Sequence, residues 1–178
     1  MALTAAPILL KTKLHRPPLQ TDYILRSELL HRLQQGRDRK LTLVVAPAGF
    51  GKSTLGASWL AAIEEECDGA TPCPGPRTCW LSLDEQDNAL GRFLTYFVAA
   101  LHTAYPDACP LLSQLLQSIP LPAPTYLADL LVAELGELPG AILFVLDDFH
   151  HVQSVEVQQV VEALLAHAPR SLHLVIIS

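Results

Sequence analysis

Nine consecutive residues, Ala46-Pro47-Ala48-Gly49-Phe50-Gly51-Lys52-Ser53-Thr54, have the types and spacing that cradle phosphates. Gly49 and Gly51 sit where backbone amides must come close to anionic oxygen and a Cβ would intrude. Such amides form a nest, and the positive end of a following helix adds to it. In this pattern Lys52 reaches the β- and γ-phosphates of a nucleoside triphosphate, so it counts as catalytic as well as binding, and the Ser53 hydroxyl ligates Mg²⁺. The run fits G-x₄-G-K-[ST], the Walker A pattern, except that Ala46 stands at the first glycine. A methyl group is tolerable there if φ stays negative.

A second constellation lies almost a hundred residues later. The apolar run Ile142-Leu143-Phe144-Val145-Leu146 leads directly into Asp147 and Asp148, a Walker B pattern in which a buried strand delivers carboxylates at its C-terminal end. Asp147 is the candidate to hold Mg²⁺, directly or through water. Asp148 is the candidate to orient or deprotonate an attacking water, because phosphoryl transfer depends mainly on positioning and electrostatics. An isolated Asp-Asp after a strand is more simply a turn or helix cap, and only the phosphate loop tips the balance. Asp84, Glu85, Asp87 and Asn88 follow another short strand and either face the same crevice or cap a helix, with Asn88 as N-cap before Leu90. His150 and His151 read as solvated loop residues with a γ-phosphate sensor as the alternative, and Trp59 and Trp80 as core.

The elements that must position these groups follow from periodicity. An extended arm rich in proline and basic residues, Lys11 to Pro18, precedes a helix over Glu28 to Gln35 that Ser27 can cap and Gly36 ends. Leu41 to Val45 reads as a strand buried on both faces. Helical spacing over Thr54 to Glu66 gives way to the Pro/Gly-rich stretch Asp68 to Arg77, a loop. A strand over Cys79 to Leu83, helices over Leu90 to Tyr105, Leu111 to Ile119 and Tyr126 to Leu138, a strand over Ala141 to Leu146, a helix over Val155 to Ala168 and a last strand over Leu172 to Ile177 complete the series. Strands alternating with helices predict an α/β fold with a parallel sheet covered on both faces.

Composition bounds the rest. A chain of 178 residues, 50% apolar, can bury one substantial core. The net charge of −6, with only Arg170 among the basic residues after Arg92, argues against a nucleic-acid surface within it. The apolar stretch Pro7 to Leu10 precedes its basic residues, the wrong order for a signal peptide, and the expected location is cytoplasmic, with no membrane partner. Cysteines at 67, 73, 79 and 109 lack C-x₂-C spacing and are expected as reduced thiols, although three of them flank the Pro/Gly-rich loop and an incidental metal contact there stays open.

With these residues in place, the chain resembles the nucleotide-binding (NB-ARC/AAA-like) domain of the STAND class of signalling ATPases, specifically the MalT-like, LuxR-type bacterial activators. The segments that carry the resemblance are Lys13-Leu14-His15-Arg16-Pro17, Leu25-Arg26-Ser27-Glu28-Leu29-Leu30, Ala46 to Thr54, Trp80-Leu81-Ser82-Leu83-Asp84-Glu85-Gln86-Asp87-Asn88 and Val145-Leu146-Asp147-Asp148-Phe149-His150. It implies a three-layer P-loop NTPase of the ASCE type, with spatial strand order 1-4-3-2 and the strand Leu172 to Ile177 lying between those of the two motifs. It implies residues 1–18 as an extended N-terminal arm and 19–178 as the P-loop domain, truncated before a fifth strand, with the first strand left as an edge. Arg26 falls where that family's arm contacts the nucleotide.

The implied function is an ATP/ADP- and Mg²⁺-binding switch that hydrolyses ATP slowly. Inducer and DNA are expected to meet only other domains of a longer transcriptional regulator, and self-association is expected of the activated form. The isolated chain is expected to turn over little, because the family's lid and γ-phosphate-sensing arginine lie beyond Ser178. A P-loop small-molecule kinase and a non-hydrolysing nucleotide-binding scaffold are the alternatives.

Overall fold

The structure, a computed structural model, describes residues 9–20, 23–67, 75–167 and 169–178. Along the chain a 3-10 turn at Lys11–Leu14 is followed by α1 (Ser27–Gln35), β1 (Leu41–Val44), α2 (Lys52–Cys67), β2 (Arg77–Ser82), a 3-10 turn at Glu85–Asn88 and α3 (Leu90–His102). Then come α4 (Pro110–Leu115), α5 (Pro124–Gly136), β3 (Ile142–Asp147), a 3-10 turn at Phe149–His151, α6 (Val155–His167) and β4 (Leu172–Ile177). All pairings are parallel and the order is β1-β4-β3-β2, as the resemblance implied. Most of the Pro/Gly-rich loop, Cys73 and the start of the Pro7 stretch lie outside the described residues.

The central strands are buried on both faces, and their period of two assigns each side chain to one of two cores. Leu143 and Val145 of β3 join Val175 and Ile177 of β4 under Trp59, Leu60 and Ile63 of α2. The intervening Ile142, Phe144 and Leu146 face the other way, onto a larger core built by α3, α5 and α6. There Phe97 of α3 stacks on Phe144, with ring centroids 4.1 Å apart. Such a pair contributes about 0.5–1.5 kcal/mol beyond its burial. Helix α2 sits close because residue 56 is glycine: a Cβ there would lie 2.8 Å from Ile177 Cδ1. Trp59 and Trp80 are core residues, 1% and 3% exposed.

Several local expectations give way to tertiary constraints. β1 is not buried on both faces: Leu43 is 58% and Val45 73% exposed, because β1 is an edge strand that pairs only with β4. Ser27 does not cap α1; it is the first helical residue, and Arg26 takes the N-cap position with no side-chain cap bond. The arm is not extended throughout, since Lys11–Leu14 forms a 3-10 turn whose Lys13 is buried. Lys13 Nζ donates to Asp84, at 2.9 Å, and to the fully buried Asp87, and it stands over the Tyr96 ring. Burial alone would raise the Asp84 carboxyl, but the Lys13 bond, the Gln86 amide and the charges of Lys13 and Arg92 hold it below the usual carboxylate range.

Cys79 and Cys109 are free and buried, and burial pushes both thiols up to about 12. They are therefore poor nucleophiles and metal ligands at neutral pH. No helix among the described residues is long and apolar enough to cross a membrane.

The edge strand is pinned by a histidine. His173 of β4 donates from Nδ1 to the Arg37 carbonyl at 2.9 Å, which leaves Nε2 to accept from the Thr42 hydroxyl of β1 at 2.8 Å. Burial lowers its pKa below 6.5 against the opposing pull of the Arg37 carbonyl and Asp38. A base depressed in the folded state contributes stability that is full above its unfolded pKa and is lost as the pH falls below it. The thermal midpoint should therefore drop as the pH is lowered below 6.5, and His173→Asn should flatten that decline. Equal pH slopes for the two proteins in thermal melts would refute the assignment.

Candidate functional site

Parallel strands bring their carboxyl ends to one edge of the sheet, and the two motifs meet there. β1 leads into the bend 45–51, whose Gly49 and Gly51 have φ of 82° and 72°, a region that costs glycine nothing. Ala46 is not strained: among the described residues only Cys109 and Asp148 combine a side chain with a positive φ. Helix α2 begins at Lys52, so the amides of its first turn point into the bend. Lys52 lies back across the loop mouth, where Nζ donates to the carbonyls of Ala46 at 2.6 Å and Pro47 at 3.1 Å.

Across this mouth stands the end of β3. Ser53 Oγ donates to Asp147 Oδ1 at 3.0 Å, joining residues separated by 94 positions in the sequence. The same oxygen accepts the Asp148 amide at 3.0 Å. Asp147 is 3% exposed, and burial is the largest influence on it, raising its pKa; the Asp148 charge also raises it, whereas the Ser53 bond, the Asp148 amide and Lys52 pull it down without cancelling the rise. A hydroxyl and a carboxylate oxygen side by side, with excess negative character in a buried place, form a donor set that suits Mg²⁺. The residues present fit that ion.

Asp148 takes the left-handed conformation, φ 56° and ψ 36°, and its half-exposed carboxylate lies 4.0 Å from His150 Nδ1. His150 lies against His151 in a tilted arrangement, ring centroids 4.2 Å apart, and neither ring is buried. Arg26, at the N-cap of α1, brings Nη2 to 3.8 Å from the place a Cβ would occupy on Gly51. A cleft of about 520 Å³ between α1 and β1 is lined by Arg26, Ala46, Phe50 and Lys52 among others, and a smaller one of about 220 Å³ by Tyr23, Arg26, Gly51 and Thr54.

The acidic cluster after β2 does not face the loop mouth as a ligand set. Asp84 caps the 3-10 turn Glu85–Asn88 in a reciprocal box with Asp87, and both carboxylates are taken by Lys13, with Arg92 also on Asp87. Asn88 is not the N-cap of α3; Ala89 holds that position. The Asn88 side chain instead crosses to the segment after Asp148, donating to the His151 carbonyl and accepting from the amides of Gln153 and Ser154. Sequence reasoning missed this bridge and the burial of Lys13. The one available signal was the adjacency of the strands that carry the two loops, paired Ser82 to Asp147.

Residues 24–177 match the family profile described as AAA ATPase domain. The HTH-type transcriptional regulator MalT of Yersinia pestis (strain Pestoides F) is 33% identical over 171 residues, which is 96% of this chain and 18% of that protein. MalT of Yersinia enterocolitica serotype O:8 / biotype 1B shows the same identity and coverage. The chain thus spans 18% of the length of the curated relatives it matches.

Ionising Asp147 costs stability while nothing cationic binds it. Its contribution is greatest below the unfolded pKa of 3.8 and is lost as the pH rises through the raised folded value. At neutral pH without metal, Asp147→Asn should therefore leave the fold more stable, seen as a higher melting temperature. A lowered melting temperature for this variant in chelator would contradict the reading.

Proposed function

The chain belongs to the AAA ATPase domain family, and on that premise we propose that it is an ATP- and Mg²⁺-binding switch module of a LuxR/MalT-type bacterial transcriptional regulator. The observation that carries this is the 3.0 Å contact between Ser53 and Asp147, which joins the phosphate bend to the carboxylate strand at one point. In this reading Ala46, Pro47, Ala48, Gly49, Phe50, Gly51, Lys52, Ser53 and Thr54 surround the phosphates, and Arg26 lies against the same bend from α1. Amides of the bend and of the first turn of α2 receive phosphate oxygens. Lys52 exchanges the carbonyls of Ala46 and Pro47 for the β- and γ-phosphates. Its amine is already at the mouth of the bend.

Ser53 and Asp147 hold Mg²⁺, which when bound offsets triphosphate charge and polarises the terminal phosphoryl group. Asp148 orients or deprotonates the attacking water; its carboxylate is half exposed, and among the described residues its ion-pair contact is His150 at 4.0 Å. Hydrolysis to ADP is slow, and the domain at residues 19–178 acts as a conformational element, with residues 1–18 as an N-terminal arm. ADP favours a closed monomer; an inducer and ATP favour an open, self-associating form that meets DNA through other domains of the parent. The parent works in the cytoplasm.

A small-molecule kinase fits less well, because such enzymes clamp the moving phosphoryl group with arginines. Arg170, the single Lys or Arg after Arg92, lines a cleft with Ala141, Ser171 and His173 near the starts of β3 and β4, the opposite edge of the sheet from the phosphate bend.

Titration calorimetry with MgATP tests the reading. Lys52→Ala should weaken binding at least about tenfold, the loss expected for one charge-assisted contact to phosphate. Unchanged affinity would remove Lys52 from the site. Single-turnover assays with and without candidate acceptors should release phosphate to water, and transfer to a metabolite would establish the kinase instead.

A further inference from the structure

Asp148 keeps a backbone conformation that side chains rarely adopt, and its own contacts do little to enforce it: its amide reaches Asp147 Oδ1, and its carbonyl accepts the His151 amide at 3.1 Å. Such a conformation persists only where the surroundings over-determine it. Val152 packs into the larger core and Phe149 lies against it, and the polar restraint on this loop comes from Asn88. Its amide makes four hydrogen bonds, donating to Glu85 O at 2.9 Å and His151 O at 2.8 Å, and accepting from Gln153 N at 2.6 Å and Ser154 N at 2.7 Å. Two donors and two lone pairs are the full capacity of a primary amide. One side chain thereby ties the loop after β2 to the loop after β3 on both sides of Val152.

Asn88 is itself anchored. The turn that carries it is closed by the Asp84–Asp87 box, and Lys13 and Arg92 hold the two carboxylates from the arm and from α3. A rigid support therefore runs from buried charges, through one amide, to the backbone three residues beyond Asp148. We infer that Asn88 is a positioning residue for the metal side of the site: by fixing 151–154 it keeps Asp148 left-handed, and so keeps the Asp148 amide aimed at the oxygen of Asp147 that Ser53 also touches. This rests on the proposed Mg²⁺ role of Ser53 and Asp147. Asn88 touches neither nucleotide nor metal, and it acts only through the loop. Its substitution spares the phosphate bend, where Lys52 and Gly49 to Thr54 make no hydrogen bond to it.

The test separates metal-dependent from metal-independent nucleotide binding in this chain. ATP affinity is measured with Mg²⁺ and with EDTA for Asn88→Ala, Asn88→Asp and, as a reference, Asp147→Asn. Amide hydrogen exchange is followed over 148–154 and 49–54. Asn88→Ala should leave the EDTA affinity within about threefold of the unsubstituted chain and reduce the Mg²⁺-dependent gain about tenfold, the lower end of what second-layer contacts to a metal site cost. Exchange should quicken over 148–154 and stay constant over 49–54. Asn88→Asp keeps the two accepted bonds and loses the two donated ones, so it should fold and lie between.

An unchanged Mg²⁺ gain in both Asn88 variants overturns the inference, as does an equal loss with EDTA and Mg²⁺, which would mark general loosening. Unaltered exchange over 148–154 overturns it even if nucleotide binding is too weak to titrate. If Asp147→Asn retains the whole Mg²⁺ gain, it is the metal assignment that fails, and the inference falls with it.

Discussion

Asp147 is a carboxylate at the end of a strand buried on both sides, and its hydrogen-bond partners, the Ser53 hydroxyl and the Asp148 amide, are both neutral. Desolvation therefore dominates its energetics and raises its pKa. A fold tolerates such a charge when the site has a use for it, since hydrophobic replacement would relieve the penalty. The remaining features of the edge serve this one group. The bend is placed opposite it, the hydroxyl of α2 touches it, and the following residue takes an unfavourable backbone conformation to turn its amide back.

The strand order gives this arrangement its reach. With β4 between β1 and β3, the bend after β1 and the carboxylate after β3 are separated by one strand at the sheet edge, and strands lie about 4.8 Å apart. That gap is spanned by the first turn of α2, and Ser53 is the side chain that fills it. β2 lies on the far side of β3 and contributes no ligand to the mouth. Its following loop supports instead, through Asn88 and the charges beneath it.

Two kinds of rigidity hold the site. Apolar packing fixes the strands, with Phe97 against Phe144 on one face and Trp59, Trp80 and Ile177 around Gly56 on the other. Polar contacts fix the loops beyond what Leu83, Phe149 and Val152 contribute to the core. Of the group Lys13, Asp84, Asp87 and Arg92 only Lys13 and Asp87 are buried; that pair adds little net stability for its desolvation cost, but removing Lys13 would leave the fully buried Asp87 with Arg92 as its one cationic partner among the described residues. Its effect is to make one arrangement of the arm and the loop after β2 far better than its alternatives.

The sequence by itself determined the order and type of the main strands and helices and which residues stand at the ends of the two motif strands. Leu172–Ile177 is the strand its periodicity describes, and G-x-G-K-S after an apolar run names its own ligand class, because the contacts involved are local: amides, a helix terminus and a side chain within nine residues. The strand order too was legible, but only by family resemblance, since periodicity is silent on which strands are neighbours. Tertiary structure alone decided where the polar residues spend their hydrogen bonds. Asn88 and Asp84 have the composition of caps, and Asp84 is one, yet Asn88 bonds residues more than sixty positions away. Lys13 belongs to an arm that reads as extended and basic, and it is buried on Asp87. The β1 side chains, apolar enough for a buried strand, lie half exposed at an edge. Local propensity scores a residue against its neighbours in the chain, whereas a carboxamide or an ammonium commits to whichever partner the fold brings within 3 Å, and that partner is set by packing between distant segments.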